Sequence, residues 1–148
     1  MKIGDVIGPN RIIVELRVAD KTQLLQELAR RSAAALSLDQ RVIFDALQAR
    51  ESLGSTGFGK GFALPHARLD TLSESFALFV RLARPIDFAS VDERPVDLVI
   101  LLLTPANIDN QHIATLAALS RPLRDEAFVR RLRQAPDAAA LHELLANV

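Results

Sequence analysis

The apolar segment at residues 96–103 limits the possible folds of this chain more than any other feature. It reads Val-Asp-Leu-Val-Ile-Leu-Leu-Leu, with Asp97 as its one polar residue. An apolar run of this length without alternation is typical of a central strand that is covered on both faces. It is too short to span a bilayer, which takes about 20 apolar residues. The sheet that contains this strand therefore needs other elements packed on it.

The remaining patterns alternate between strand and helix. Strands are predicted at residues 12–14, 62–64 and 76–82, the last of them half-buried because its inward and outward positions alternate. Helices are predicted at residues 20–36, 37–50, 109–121, 126–133 and 136–145. Strands mixed with helices throughout predict an α/β fold, a single sheet with helices packed on it. No repeat or long linker divides the chain, so a single domain is expected over residues 1–148.

Helix ends and faces can also be predicted. Asp20 with Gln23, and Ser37 with Gln40, have the spacing of capping signals at the starts of the first two helices. Pro136 suits the first turn of the last helix. The third predicted helix, at residues 109–121, is expected to turn one face inward, made of Ile113, Leu116, Ala117 and Ser120.

Composition excludes several classes of function. The chain has 148 residues, 18 basic against 18 acidic, and no cysteine. Disulfides, thiol catalysis and zinc–thiolate sites are therefore excluded, and no global charge favours nucleic acid or membranes. Three histidines without helical i,i+4 pairing predict no metal site, and no cofactor is expected. With no apolar leader at the N-terminus, the expected location is cytoplasmic, without membrane insertion.

A glycine-rich segment is the most informative feature for function. Four of the six glycines, at positions 54, 57, 59 and 61, precede Pro65-His66. Backbone N–H groups in such a segment can converge on an anion, so Ser55, Thr56 and Gly57 are predicted to bind phosphate. Residues 54–60 also match the start of a phosphate-binding P-loop. However, Gly61 replaces the hydroxyl residue that would hold Mg²⁺, and the segment follows a helix instead of a strand, which argues against nucleotide binding.

His66 is the strongest candidate for a nucleophile. A neutral imidazole has a free lone pair and can accept and release a phosphoryl group near neutral pH. The alternative is a structural histidine at a strand end, and the adjacent glycine-rich segment favours the phosphoryl acceptor. His112, in the first turn of its helix, could hydrogen-bond a second imidazole or a phosphate, or lie at the surface. His142 has no such surroundings and is interpreted as a surface residue.

Arg50 continues the apolar face of the second helix at its last turn, after Ile43, Ala46 and Leu47. Two interpretations stay open for it. The side chain either extends toward solvent at a favourable helix C-terminus, or it points to the glycine-rich segment and holds an anion there.

Residues 50–66 resemble a known signature. The run Arg-Glu-x-Leu-Gly-Ser-Thr-Gly-x-Gly-x-Gly-x-Ala-x-Pro-His is similar to that of IIA proteins of the mannitol/fructose class, in the bacterial phosphoenolpyruvate-dependent phosphotransferase system. The chain is most similar to the stand-alone nitrogen-regulatory branch of that family. The resemblance implies a mixed sheet flanked by helices. It also implies that His66 is phosphorylated by an HPr-like histidine phosphocarrier, that Arg50 stabilises the phosphate, and that His112 is the second active-site histidine.

Two functions stay open on this resemblance. The chain is either a regulatory phosphoprotein that binds cytoplasmic target proteins, or a transport intermediate that passes phosphate to a fructose- or mannitol-type IIB domain. Two residues depart from the commonest motif: Ala67 replaces a frequent glycine, and Lys60 replaces a frequent asparagine. Either could alter the choice of partner. Phe58 is expected to form, with Ala67 and Leu69, an apolar rim that docks the phosphocarrier.

Overall fold

The apolar segment forms β6, the strand to which most of the sheet is joined. The computed structural model describes residues 3–107 and 109–148. The strands are β1 (Ile12–Leu16), β2 (Gly57–Gly59), β3 (Phe62–Ala63), β4 (His66–Leu69), β5 (Phe76–Ile86) and β6 (Val96–Pro105). β6 pairs antiparallel with β5 and parallel with both β3 and β4, and the six-stranded mixed sheet has the order β1-β5-β6-β3-β2, with β4 pairing β6 off this path.

Helices flank both faces of this sheet. They are α1 (Ile3–Val6), α2 (Lys21–Leu36), α3 (Gln40–Ser52), α4 (Asp109–Ser120), α5 (Glu126–Gln134) and α6 (Ala138–Ala146), with short 3₁₀ turns at Pro9–Arg11 and Arg121–Arg124. None of the helices in the described part of the chain is both long and apolar enough to cross a membrane.

Alternate residues of β6 belong to two separate cores. Val99 and Leu101 pack with residues of α2 and α3, whereas Leu98, Ile100 and Leu102 pack with residues of α1, α4, α5 and α6. All five side chains are completely buried. Full burial of one such side chain contributes about 1.5–3 kcal/mol, so β6 is a main source of the fold's stability. The predicted mixed sheet flanked by helices is confirmed.

Three local predictions were wrong. The strand at residues 76–82 is not half-buried: Phe79 and Val80, which face opposite sides, are both inaccessible, because β5 lies between β1 and β6 under helices on both faces. The side chain that caps α3 belongs to Asp39, whereas Ser37 adopts the left-handed conformation that ends α2. Pro136 precedes the first turn of α6, whose cap is Asp137.

The buried face of α4 also differs from the prediction. Ile113 is 63% exposed, while His112, Thr115 and Leu119 are buried. Leucine and alanine occur all round this helix, so its apolar pattern does not select a face. The polar contact of His112 with the sheet fixes the rotation of the helix instead.

Candidate functional site

The site lies where the chain leaves and rejoins the edge of β6. Both β3 and β4 pair with β6, and Leu64 and Pro65 separate them. The N–H of Leu64 donates to the carbonyl of Thr56 at 3.0 Å, and Leu102 of β6 donates to the carbonyl of Pro65 at 3.0 Å. The interruption is therefore anchored on both sides. His66 is the first residue of β4, and its imidazole is buried.

The two ring nitrogens of His66 have different partners. Nδ1 lies 2.8 Å from the carbonyl oxygen of Leu64, and Arg50 donates from Nε to Nε2 at 3.2 Å. A carbonyl oxygen can only accept, so Nδ1 carries the proton and Nε2 carries the lone pair. The guanidinium contact requires the same tautomer, because Arg50 can only donate. The site thus presents a neutral imidazole with its lone pair on Nε2.

The surroundings of His66 also favour the neutral ring. Burial is the main cause that lowers the pKa of His66 below its ordinary value of 6.5, and the charges of Arg50 and Arg68 lower it further. The hydrogen bond to Leu64 and the charge of Glu51 act in the opposite direction. The net shift is downward, so the imidazole is unprotonated and nucleophilic at neutral pH.

Arg50 reaches the site from the last turn of α3. Besides its contact with His66, it donates from a terminal nitrogen to the carbonyl of Gly54 at 2.9 Å. Of the two interpretations left open by the sequence, this geometry matches the one in which the side chain points to the glycine-rich segment. A guanidinium has five N–H donors, and these two contacts use only two of them.

His112 lies beside His66. The ring centroids are 5.5 Å apart, with a tilt of 49° between the planes. Nδ1 of His112 is 2.5 Å from the hydroxyl of Thr104 on β6, and both side chains are buried. The sheet and α4 together fix this second imidazole within reach of a group bound to His66. His142, in contrast, lies on α6, which packs against α1 and β1.

The glycine-rich segment is a β-hairpin. Lys60 and Gly61, between β2 and β3, have φ values of 58° and 80°, as a two-residue hairpin turn of the I′ type requires. The donors predicted to bind phosphate have internal partners. Ser55 donates to the carbonyl of Phe88, Gly57 donates to the Ser55 hydroxyl, and Thr56 donates its N–H and its hydroxyl to the Glu51 carboxylate. Phosphate binding by these three residues stays a prediction, and the structure gives each of them a role in holding the hairpin.

The two departures from the motif fit the backbone differently. Ala67 lies in β4, pairs with Leu103 of β6 and has no positive φ, so glycine is not needed there. Lys60 does have a positive φ, in the left-handed region where asparagine is favoured. Ala67 and Leu69 are buried in the core, so the predicted rim of these residues with Phe58 is wrong. Phe58 itself is 56% exposed and stacks on Phe62.

Three contributors to the site were not predicted from the sequence. They are the carbonyl of Leu64, the hydroxyl of Thr104 and the buried carboxylate of Glu51. A backbone carbonyl carries no sequence signal, and Thr104 follows an apolar strand like any ordinary end residue. The sequence does contain a signal for Glu51. Because it follows Arg50 directly, it must face a different side of α3 from Arg50.

The comparisons with known proteins agree with this geometry. Residues 5–148 match the family model described as "Phosphoenolpyruvate-dependent sugar phosphotransferase system, EIIA 2". The nitrogen regulatory protein of Bradyrhizobium diazoefficiens is 44% identical over 146 residues, which are 99% of this chain and 95% of that protein.

Two solved structures have the same fold. The crystal structure of nitrogen regulatory protein IIA-Ntr from Neisseria meningitidis has a TM-score of 0.91 and 30% identity, covering 97% of this chain and 98% of that one. The mannitol enzyme IIA of Escherichia coli, solved in a complex with phosphorylated enzyme IIB, has a TM-score of 0.82 and 21% identity, covering 96% and 98% of the two chains. The chain therefore belongs to the EIIA 2 family of the phosphoenolpyruvate-dependent phosphotransferase system.

Proposed function

We propose that this chain carries a phosphoryl group on Nε2 of His66 and uses that state to regulate cytoplasmic proteins. The carrying observation is the pair of contacts on the imidazole: Nδ1 is held by Leu64, while Nε2 faces Arg50. This arrangement leaves one nitrogen able to attack, with a cation beside it. The match of residues 5–148 to the EIIA 2 family supports a single IIA domain over residues 1–148.

The transfer needs no proton movement on His66. The lone pair of Nε2 attacks the phosphorus of a phosphohistidine on an HPr-like carrier, the P–N bond of the carrier breaks, and its electron pair returns to the carrier's imidazole. Nδ1–H of His66 keeps its bond to Leu64 throughout. Phosphoryl transfer of this kind asks the protein mainly for alignment and charge stabilisation.

Arg50 and His112 are the proposed phosphate ligands. The N–H of Arg50 that now donates to Nε2 would turn to a phosphoryl oxygen as the new bond forms, since Nε2 then has no lone pair to offer. The ring of His112 is 5.5 Å from that of His66, and this short separation supports a contact with another phosphoryl oxygen. In these roles a guanidinium and an oriented imidazole stabilise the negative charge of the added phosphoryl group.

Exposed apolar side chains beside the site suit a docking surface for the carrier. Ile113 follows His112 and is 63% exposed, and Leu53, one turn after Arg50, is 85% exposed. They replace the rim expected from the sequence. Because these side chains gain nothing from solvent exposure, burial against a carrier would offset part of the cost of association.

Regulation is preferred to sugar transport because of the relatives. The Bradyrhizobium relative, to which 99% of this chain aligns, is named a nitrogen regulatory protein. Transport is the alternative, since the mannitol enzyme IIA with the same fold is seen with its IIB partner. In that case His66 would pass its phosphate to a fructose- or mannitol-type IIB domain. A cytoplasmic location, as predicted from the sequence, is part of the proposal for regulation and for transport alike.

Phosphorylation in vitro tests the proposal. The chain is incubated with phosphoenolpyruvate, enzyme I and the histidine phosphocarrier, and its intact mass is measured. The expected result is one acid-labile phosphate, with ¹⁵N NMR placing it on Nε2 of His66 and no gain for His66→Ala. Labelling of His66→Ala, or phosphate on His112 or His142, would contradict the assignment.

A capture experiment separates regulation from transport. Purified fructose- and mannitol-type IIB domains are offered the phosphorylated chain, and the unphosphorylated and phosphorylated forms are each used to capture proteins from lysate. Different captured sets with no transfer to IIB support regulation. Identical sets together with rapid transfer to a IIB domain support transport instead.

A further inference from the structure

Glu51 is the one buried carboxylate in the described part of the chain. Its side chain is 3% exposed, and Nζ of Lys21 lies 2.9 Å from its Oε1. The N–H of Thr56 donates to Oε1 at 3.1 Å, and the hydroxyl of Thr56 donates to Oε2. Both carboxylate oxygens are therefore satisfied, as a buried charge requires. The proposed transfer reaction uses none of these contacts.

Lys21 joins this carboxylate to a further segment. The ammonium donates to the carbonyl of Phe88 at 3.4 Å and lies 4.4 Å from the centre of the Phe88 ring. Ser55 donates to the same carbonyl at 2.8 Å. The start of α2, the end of α3 and the connection between β5 and β6 thus meet around residues 55 and 56.

A hydrogen-bonded path leads from Glu51 to the imidazole. Glu51 holds Thr56 by two contacts, the carbonyl of Thr56 accepts from the N–H of Leu64 at 3.0 Å, and the carbonyl of Leu64 accepts from Nδ1 of His66 at 2.8 Å. Leu64 stands where β3 and β4 are interrupted, so it has no place in the ladder beside β6. Its N–H and its carbonyl belong to successive peptide units: the N–H bond to Thr56 anchors the residue on its N-terminal side and so limits how far the carbonyl that accepts from Nδ1 of His66 can turn.

We propose that Glu51 is a positioning residue for phosphoryl transfer: through Thr56 and Leu64 it holds His66 in the tautomer whose lone pair lies on Nε2. The inference rests on the proposed function for its kinetic consequence only. α3 then supplies both halves of the site, since Arg50 contacts Nε2 directly and Glu51 fixes the opposite nitrogen indirectly. The two residues are adjacent in the last turn of α3.

The physical reason for a charged residue at this position is the strength of the anchor. Hydrogen bonds to an ionised carboxylate are roughly twice as strong as neutral ones. Thr56 is held at two atoms by such bonds in a place that is 1% exposed, where water cannot compete. A weaker anchor would let the Leu64 carbonyl turn away, and the tautomer of His66 would then depend on the contact of Nε2 with Arg50 alone.

The direct test is the tautomer of His66 in the unphosphorylated protein, measured by ¹⁵N NMR of the ring nitrogens. Wild type and Thr56→Ser, which keeps the hydroxyl, are expected to show Nδ1–H alone. Thr56→Val, which keeps the shape but leaves Oε2 of Glu51 without its donor, is expected to show a mixture of tautomers. Glu51→Gln removes the charge but keeps one accepting oxygen, and its NH₂ can donate to the Thr56 hydroxyl in place of the bond that the hydroxyl donated, so it should give a smaller change. It is also the second variant if Thr56→Val does not fold.

The kinetic test separates positioning from simple destabilisation. Thr56→Val should lower the rate constant at saturating carrier about tenfold, while the KM for the carrier stays unchanged because Thr56 and Glu51 are buried. Thr56→Ser should restore the rate. Val129→Ala, a core truncation in α5, serves as the control that loses stability without touching this path.

Two results would overturn the inference. One is a pure Nδ1–H tautomer with wild-type rates in both Thr56→Val and Glu51→Gln. The other is an equal loss of rate in Val129→Ala at matched stability. Because the tautomer is measured without any carrier, it tests the role of Glu51 even if wild-type protein gains no phosphate, which is the result that would contradict the proposed function.

Discussion

Replacing Arg50 by alanine should affect two measurable quantities at once. The guanidinium donates to Nε2 of His66 and is one of the causes that lower the pKa of this imidazole. Its removal is therefore expected to raise the pKa of His66, although burial continues to hold that pKa down. It should also remove a charge-assisted hydrogen bond to the phosphoryl group in the transition state.

The size of the kinetic effect follows from that single contact. A hydrogen bond to a charged group contributes about 1.5–3 kcal/mol, and 1.36 kcal/mol corresponds to a factor of ten in rate. The rate of phosphorylation should thus fall roughly 10- to 150-fold. Arg50→Lys should recover only part of this loss, since an ammonium lacks the planar fork that serves Nε2, the Gly54 carbonyl and phosphate oxygens together.

Two assays measure these effects on the same samples. NMR titration of the His66 ring gives its pKa, and intact-mass kinetics with the phosphocarrier give the rate. Arg41→Ala is the matched control, because Arg41 lies on the same helix with its side chain 83% exposed, and its contact with Asp45 is distant at 3.9 Å. An Arg50→Ala protein with unchanged pKa and full rate would refute the assignment of Arg50 to the site.

Three further predictions concern pH and the hairpin. Because the pKa of His66 is lowered, the phosphorylation rate should be constant above pH 6.5 and fall below it. The free energy of unfolding should also decrease below pH 6.5, because the unfolded state takes up a proton there before the folded state does. In denaturation curves His66→Asn should lack that part of the decrease. Lys60→Asn should raise the unfolding free energy by about 0.5 kcal/mol in chemical denaturation, because φ is 58° and the ion pair with Glu126 is exposed on both sides; a loss of stability would contradict this. Gly57→Ala should cost about 1–3 kcal/mol, since an added Cβ would lie 2.5 Å from Oγ of Ser90, and Ser90→Gly should restore much of the loss.

The parts of the fold that local patterns specify were predicted from the sequence. The apolar run became β6, and the cap at Asp20 begins α2 as expected, with its carboxylate accepting from the N–H of Gln23. The parts of the fold that long-range packing specifies were not predicted. β2 and β4 have three and four residues, too few for a periodicity, and their pairing depends on partners far away in the chain. The rotation of α4 was missed for the same reason, because contact with Thr104 decides it.

The candidate site shows a similar division. The residue types and their spacing indicated a histidine, an arginine and a glycine-rich segment acting together, and the structure brings Arg50, His66 and His112 into contact distance. The hairpin that the glycines form was not predicted, because a hairpin and an anion-binding loop have the same composition. Only the direction of the N–H groups distinguishes them, and a sequence does not contain that direction.

If His66 carries phosphate as proposed, it must take up the phosphoryl group and release it again, so neither state of His66 can be much more stable than the other. The contacts of Arg50 provide a physical basis for that balance. In the resting state two of the guanidinium's five N–H groups already donate, to Nε2 and to the Gly54 carbonyl, and the bond to Nε2 is lost when that nitrogen binds phosphorus. The net gain on phosphorylation is consequently smaller, by that lost bond, than the sum of the new bonds to phosphate oxygens. A cation with no partner at rest would bind phosphate more tightly and would oppose its release.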